Sequence, residues 1–219
     1  MRIDTYGAPG SRRVLVQPVD DRDLGLMERE VAQIARLAGP DFSLMAVKIQ
    51  DWNRELSPWA APAVFGREGF AGEAEKTLTT ILSLCADENK TYYLGGYSLA
   101  GLFALWAACR TERFAGVAAA SPSVWFPGFG EYVRSRGLYC PRVYLSLGDR
   151  EEKTRNPVMA SVGDRMRELA EGLHAAGKEC ILEWNPGNHF RDPELRTARA
   201  FAWVLREELR DRQRETTDV

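Results

Sequence analysis

The stretch TYYLGGYSLAGLFALW, from Thr91 to Trp106, joins an apolar strand pattern to an apolar helix pattern. An ordinary strand-to-helix turn needs one glycine or aspartate and a capping residue. Here two glycines, a tyrosine and a serine occupy the corner. Gly96 and Ala100, two positions before and after Ser98, are small enough to let the strand and the helix approach closely. The spacing follows the G-x-S-x-G pattern of a nucleophile elbow, with alanine in place of the second glycine.

Such a corner holds a serine hydroxyl clear of the backbone, at a cost of about 1–3 kcal/mol of strain. A serine hydroxyl is a weak nucleophile until a base takes its proton. We therefore interpret Ser98 as a nucleophile and the Leu99 N–H, at the helix start, as half of an oxyanion hole. The alternative is that Ser98 only caps the helix. A nucleotide-binding loop is disfavoured because neither G-x-G-x-x-G nor the P-loop pattern is present.

Strand and helix patterns alternate along the whole chain. Continuous apolar strands in such an alternation indicate a mostly parallel sheet with helices on both faces. We therefore predict a three-layer α/β fold with about six strands. The predicted strands are 13–19, 42–50, 91–97, 114–122, 141–148 and 178–185. The predicted helices are 23–39, 73–88, 99–110, 156–177 and 192–215.

The overall composition is that of a soluble globular protein, with 45% hydrophobic and 27% charged residues. We expect one domain over residues 1–219, with a tail that frays from about residue 211. A net charge of -2 gives no electrostatic basis for binding nucleic acid or an anionic membrane. The sequence shows no signal peptide, no membrane-spanning run and no metal-binding cysteine spacing. We therefore expect a cytoplasmic protein without metal or cofactor, and the oligomeric state stays open.

The chain has only two histidines, which narrows the search for a base. His174 lies near the end of a predicted helix, where a solvated histidine is the plain interpretation. His189 lies in LEWNPGNHFRDP, directly after the last predicted strand. Ligands of parallel α/β sheets bind at the carboxyl ends of the strands, and Ser98 lies at the same edge. His189 is therefore the candidate base.

An imidazole base needs an acid that fixes its tautomer and stabilises the imidazolium. The segment after the fifth predicted strand, YLSLGDREEKTRNP, offers Asp149, Glu151 and Glu152. We favour Glu151, with Asp149 second, and a dyad of Ser98 and His189 without an acid is the remaining alternative. The resulting order of serine, acid and histidine along the chain is the one that α/β-hydrolase folds use.

Aromatic residues gather in two loop-like segments near the predicted site. Trp52 and Trp59 lie in the irregular segment 51–72, and Trp125 and Phe126 lie in SVWFPGFG. These four rings either line an acyl or aromatic pocket or seal the end of the sheet as core. The sequence does not choose between the two roles.

Taken together, these residues resemble the α/β-hydrolase superfamily, and within it the esterases related to esterase D and to siderophore (enterobactin-type) esterases. The resemblance rests on GGYSLAGLFALW, AAASPSVWF, YLSLGDREEKT and GNHF, and covers nearly the whole chain from residue 13. It implies a serine esterase that hydrolyses a small-molecule carboxylic ester through an acyl-enzyme. It implies Ser98 as nucleophile, His189 as base and Glu151 or Asp149 as acid. The chain is short for this fold, which implies a small or absent lid.

One segment departs from the pattern of the relatives. Their second oxyanion donor follows the first strand, where this chain has QPVDDRD in place of a loop rich in histidine and glycine. A backbone N–H around Val19 or Asp20 is the candidate donor here. Two alternatives to the esterase remain: another acyl hydrolase (thioesterase, deacetylase or peptidase), and a non-catalytic binding module that kept the fold.

Overall fold

A computed structural model describes residues 2–64 and 66–217 of the chain. The strands are β1 (Ile3–Gly7), β2 (Arg13–Val19), β3 (Ser43–Lys48), β4 (Ala60–Ala61), β5 (Phe70–Ala71), β6 (Thr91–Tyr97), β7 (Phe114–Ala120), β8 (Arg142–Gly148) and β9 (Glu179–Asn185). The α-helices are α1 (Asp21–Ala38), α2 (Trp52–Glu55), α3 (Ala74–Leu84), α4 (Leu99–Ala108), α5 (Phe129–Arg136), α6 (Pro157–Ala160), α7 (Val162–Ala175) and α8 (Pro193–Thr217). A turn of 3-10 helix spans Glu151–Lys153.

The main sheet has the strand order β1-β3-β2-β6-β7-β8-β9. The strands from β2 to β9 pair in parallel, and β1 pairs antiparallel with β3 at the edge. The six predicted strands are all present, so the predicted α/β fold class is confirmed. Strand β1 was not predicted, because its five residues are exposed or half-buried and lack the apolar run of an interior strand.

Successive residues of the central strands face opposite layers of helices. On β2, Val14 and Val16 belong to the core under α3, α4 and α7, and Leu15 and Val19 belong to the core under α1 and α8. This arrangement is the predicted three-layer architecture. No helix in the described ranges is both long enough and apolar enough to cross a bilayer.

Two helix predictions need correction. We predict a loop for the segment SVWFPGFG, since Pro127 and Gly128 are typical of a turn. Helix α5 begins inside this segment, directly after Gly128. The predicted helix 156–177 is divided at Ser161 into α6 and α7. The backbone of α8 is helical to Thr217, and the fraying expected from about residue 211 stays a prediction.

Helix α8 packs close to the middle of the sheet. A Cβ on Gly95 of β6 would lie 2.6 Å from the Ala118 carbonyl oxygen and 2.8 Å from the Phe201 ring. Because a side chain at Gly95 would collide with these atoms, glycine is required for the close contact between α8 and β6. The contact brings the first turns of α8 to the carboxyl edge of the sheet, where Arg196 is buried.

The carboxyl group of Glu30 in α1 is buried with few hydrogen bonds to replace its contacts with water. It is 3% exposed and accepts one hydrogen bond, from Gln17 Nε2 at 3.3 Å. Its Oε1 has no hydrogen-bond partner in the described part of the chain. Burial raises the pKa of Glu30 well above its ordinary value, against the opposing effect of the Gln17 hydrogen bond. The folded state therefore holds this proton more tightly than the unfolded state, so Glu30 costs stability as the pH rises above about 4.3.

We expect Glu30→Gln to raise the free energy of unfolding at pH 8 by on the order of 1 kcal/mol, because it removes a charge that burial disfavours. The gain should become small at pH 4, where the carboxyl is protonated in the folded state and mostly protonated in the unfolded state. Urea unfolding at pH 4, 6 and 8 measures this. Glu28→Gln, on the exposed face of the same helix, is the control. A gain of equal size at pH 4 and pH 8 would contradict the explanation.

Candidate active site

Ser98 lies at the corner between β6 and α4, in a backbone conformation that side chains rarely adopt. Its φ is 57° and its ψ is -119°. A Cβ on Gly96 would lie only 2.6 Å from the Ala100 Cβ, so the corner closes only with glycine at this position. This contact is the steric reason for the small residues on both sides of Ser98.

The corner presents the Ser98 hydroxyl to a histidine that is backed by a carboxylate. Ser98 Oγ lies 3.0 Å from His189 Nε2, and His189 Nδ1 lies 2.6 Å from Glu151 Oε2. When Glu151 is ionised, Nδ1–H donates to it, and Nε2 is left to accept from the Ser98 hydroxyl. The predicted serine, the predicted histidine and the favoured acid thus form one continuous hydrogen-bonded chain.

The Glu151 carboxylate is held on both oxygens and is only 5% exposed. Oε1 accepts from Ser121 Oγ at 2.7 Å and from the Gly148 N–H at 2.7 Å. Burial acts to raise the pKa of Glu151, but the hydrogen bond and charge of His189, with the Ser121 and Gly148 donors, outweigh it. The pKa of Glu151 therefore lies below its ordinary value, and the group is a carboxylate at neutral pH.

Arg196, in the first turn of α8, contacts the Glu151 carboxylate and several of the groups around it. Its side chain is 2% exposed. Five acceptors lie within hydrogen-bond distance of its guanidinium: Glu151 Oε1 at 2.9 Å, Tyr97 Oη at 3.1 Å, Ser121 Oγ at 3.2 Å, and the carbonyls of Pro186 at 3.2 Å and Asn188 at 3.1 Å. Tyr97 Oη in turn donates to the His189 carbonyl at 2.8 Å. Arg196 therefore ties Glu151 to the loop that carries His189.

Asp149, the second candidate acid, has a different contact. Its Oδ1 accepts from the Gly187 N–H at 2.7 Å, and the residue is exposed. Glu152, the residue after Glu151, forms an ion pair with Arg167 at 3.1 Å. Asp149 thus braces the loop before His189, and the carboxylate that contacts the imidazole is Glu151.

The two predicted oxyanion donors differ in their placement. Leu99 is the first residue of α4, so its N–H is among those that have no partner within the helix. The Val19 carbonyl accepts from the Ile49 N–H at 2.9 Å, so the peptide groups of Val19 face β3 and not Ser98. The Asp20 N–H donates to Asp23 Oδ2 at 3.2 Å. The prediction that Val19 donates toward Ser98 is therefore not supported.

Two clefts meet at Ser98 and His189. The larger cleft, of about 570 Å³, is bordered by Trp125, Met159 and Val162 and by the basic residues Arg150 and Lys153. The smaller cleft, of about 160 Å³, is bordered by Trp52, Tyr97, Asp20, Arg22 and Asp23. Phe190, which is 70% exposed, borders both.

Of the four aromatic residues that are candidates for a pocket wall, Trp52 and Trp125 border a cleft. Phe126 has no exposed surface and packs edge-on against Phe70 and Trp59, so of the two roles left open for it the structure shows core and not pocket wall. Trp59 lies behind Phe126 and donates from Nε1 to the Pro127 carbonyl at 2.9 Å. Trp59 and Phe126 support the loop that presents Trp125.

Sequence analysis missed Arg196, Ser121 and Tyr97. Arg196 lies one helical turn before Ala200, which is fully buried, so it occupies the apolar face of α8. An arginine on the buried face of a helix that directly follows the histidine loop is the signal that would have found it. Within the described ranges, no group of three or more His, Cys, Asp or Glu residues is placed to hold a metal ion.

The sequence matches no protein-family model and no curated protein. The structure is similar to the siderophore hydrolase EstA from Aspergillus nidulans, with a TM-score of 0.67 and 19% identity over 93% of this chain and 89% of that one. It is also similar to an IroE-like serine hydrolase from Shewanella oneidensis, with a TM-score of 0.69 and 14% identity over 92% of this chain and 74% of that one.

An enterochelin esterase from Shigella flexneri matches with a TM-score of 0.61 and 20% identity over 92% of this chain. The match covers 53% of that protein, so this chain spans about half its length. These likenesses establish the α/β-hydrolase fold, and the predicted resemblance to siderophore esterases is confirmed at the level of the fold.

We expect Arg196→Met to lower kcat by about 10- to 100-fold with little change in KM, because the acid and the histidine loop lose their common anchor. Arg196→Lys keeps the charge but not the planar fork, so it should recover part of the loss. Hydrolysis of a chromogenic ester, with thermal unfolding in parallel, measures both effects. Arg199→Met, three residues further along α8, is the matched control.

Loss of a buried cation can also lower the free energy of unfolding, by about 3–5 kcal/mol, because its partner is left as an unpaired buried charge. Tyr97→Phe removes a single hydroxyl from the same network and should reduce kcat several-fold in a folded protein. Unchanged kcat in both Tyr97→Phe and a folded Arg196→Lys would show that the network does not position His189.

Proposed function

We propose that this chain is a serine hydrolase that cleaves the carboxylic ester of a small molecule through an acyl-enzyme. The observation that carries the proposal is the chain of contacts from Glu151 through His189 to the Ser98 hydroxyl, at 2.6 Å and 3.0 Å. The likeness of the fold to solved esterases and serine hydrolases agrees with it.

Acylation begins when His189 Nε2 takes the Ser98 proton as Oγ attacks the ester carbonyl. The negative charge that develops on the carbonyl oxygen is stabilised by the Leu99 N–H at the positive end of α4. Glu151 remains ionised and stabilises the imidazolium through Nδ1–H. His189 then returns the proton to the departing alcohol oxygen, and the acyl group stays on Ser98.

Deacylation repeats the sequence with water. His189 takes a proton from the water as its oxygen attacks the acyl carbon, and the proton returns to Ser98 Oγ when the acid departs. Every proton transfer in both halves passes through Nε2, so one hydrogen-bond geometry serves the whole cycle. The proposed reaction involves no cofactor.

The linings of the two clefts indicate the size and polarity of the groups on either side of the ester. The larger cleft offers Trp125, Met159 and Val162 to an apolar or aromatic group on one side of the scissile bond. The smaller cleft, beside Trp52 and the Asp20–Asp23 pair, accommodates a short polar group on the other side. We therefore expect a small ester with one bulky apolar end.

A fluorophosphonate should label Ser98 in the folded protein, because the reagent reports an activated serine at which an oxyanion can form. Peptide mass spectrometry identifies the labelled residue. The label should be absent in Ser98→Ala and strongly slowed in His189→Ala, and ester hydrolysis by Ser98→Ala should fall by roughly 10⁴-fold or more. His174→Ala, at the other histidine, is the matched control. A folded wild-type protein that resists the label would favour the non-catalytic binding module.

Glu151→Gln and Asp149→Asn test which acid serves His189. Glu151→Gln leaves the imidazole without a carboxylate partner, so kcat should fall by on the order of 10³-fold. Asp149→Asn keeps an oxygen that can accept from the Gly187 N–H, so kcat should change by less than about fivefold. The reverse ranking in the same ester assay would assign the acid to Asp149.

A panel of matched oxygen esters, thioesters and amides with the same acyl group then separates the esterase from the other acyl hydrolases. We expect the highest kcat/KM for the oxygen ester. A preference for the thioester or the amide would keep Ser98, His189 and Glu151 in their roles and change only the substrate class.

A further inference from the structure

A second cavity lies between α5 and α7, away from Ser98. Its volume is about 420 Å³, within the range of roughly 300–1,000 Å³ that small-molecule sites occupy. None of its lining residues borders either cleft beside Ser98. We refer to it as the α5–α7 groove. Its apolar lining is Val124, Phe129, Val133, Leu138, Leu169 and Leu173.

The groove is open because glycines stand where side chains would fill it. A Cβ added to Gly172 of α7 would meet no atom within 4 Å. A Cβ added to Gly130 of α5 would meet only two atoms, the Nη1 of Arg134 at 3.5 Å and the Nη1 of Arg165 at 3.7 Å. The two guanidinium groups therefore converge on one point at the edge of the groove.

The charge of the groove is predominantly positive. Arg134, Arg165 and Lys178 line it, against one carboxylate, Glu168. Glu168 Oε2 lies 3.9 Å from Arg134 Nη1, with both side chains 64% exposed, which is a weak surface pair. The Arg165 Nε donates to Ser161 Oγ at 3.0 Å, which orients its guanidinium. An apolar lining beside two converging arginines is complementary to an amphiphile with an anionic head.

We propose that the α5–α7 groove binds a monocarboxylic acid with an apolar body, independently of the reaction proposed for Ser98. The apolar lining takes the body out of water, and Arg134 and Arg165 hold the carboxylate. Guanidinium groups suit this task because they are weakly hydrated and can pair with both oxygens of a carboxylate. The same cations select against amphiphiles with a positive head.

Decanoate, titrated into the full chain by isothermal calorimetry below its micellar concentration, is the probe, and decyltrimethylammonium is its charge-inverted counterpart. Gly172→Leu should fill the groove without harm to the fold, because the site is open and leucine is a better helix former than glycine. Arg165→Met removes one arm of the proposed clamp and keeps an apolar stem. Phe190→Ala alters the clefts beside Ser98 and serves as the control.

We expect decanoate to bind the wild type, to bind Gly172→Leu and Arg165→Met at least tenfold more weakly, and to bind Phe190→Ala unchanged. Decyltrimethylammonium should bind at least tenfold more weakly than decanoate. Equal binding of the two amphiphiles would overturn the assignment of a carboxylate. The absence of decanoate binding, or its loss in Phe190→Ala but not in Gly172→Leu, would overturn the site itself.

Discussion

The candidate site depends on a buried ion pair between Arg196 and Glu151, whose side chains are 2% and 5% exposed. Removing two charges from water costs several kcal/mol for each ion, and their mutual attraction offsets this only when the remaining hydrogen-bonding groups are also satisfied. Here the arginine reaches two loop carbonyls and two hydroxyls besides Glu151, and Glu151 reaches the Gly148 N–H. The pair is therefore stable only when the ends of β6, β7, β8 and the loop after β9 are all in place.

Backbone strain at the same edge follows from this constraint. Ser98, at the end of β6, and Ser121, just after β7, both have positive φ values, of 57° and 43°. Such conformations cost about 1–3 kcal/mol each and persist only where the surroundings enforce them. The Ser98 N–H donates to the Ala120 carbonyl, and the Ser123 N–H donates to the Ser98 carbonyl, each at 3.1 Å. These hydrogen bonds connect the two strained corners. Ser121 is also held by the ion pair, because its hydroxyl accepts from Arg196 and donates to Glu151.

The sequence predicts the parts of this arrangement that local chemistry determines. The small residues around Ser98 predict a tight corner, and because the chain has only two histidines, His189 is the candidate base. In the sequence, Glu151 is favoured over Asp149 by position alone. In the structure, Glu151 is the first residue of the 3-10 turn and its Oε2 lies 2.6 Å from His189 Nδ1. The position of Arg196 on the buried face of α8 is visible in the sequence, but its contacts with Tyr97, Ser121 and Glu151 are not, because these residues are 45 to 99 positions away. The failed assignment of Val19 has a similar cause, since the direction of its peptide groups depends on pairing with β3.

Asp20 and Asp23 border the smaller cleft together with Ser98, so their negative charge would oppose the oxyanion of the proposed reaction. Both carboxylates cap α1: the Asp23 N–H donates to Asp20 Oδ1 at 2.8 Å, and the Asp20 N–H donates to Asp23 at 3.2 Å. Their charge therefore faces the positive end of α1, which offsets part of it. Burial, followed by the charge of Asp20, raises the pKa of Asp23 to about 6. Asp23 is therefore protonated at a higher pH than a solvent-exposed aspartate. Asp20 and Asp23 therefore repel a negative charge at Ser98 less strongly than two full carboxylate charges would. This repulsion weakens further as the pH falls through 6, because Asp23 becomes protonated.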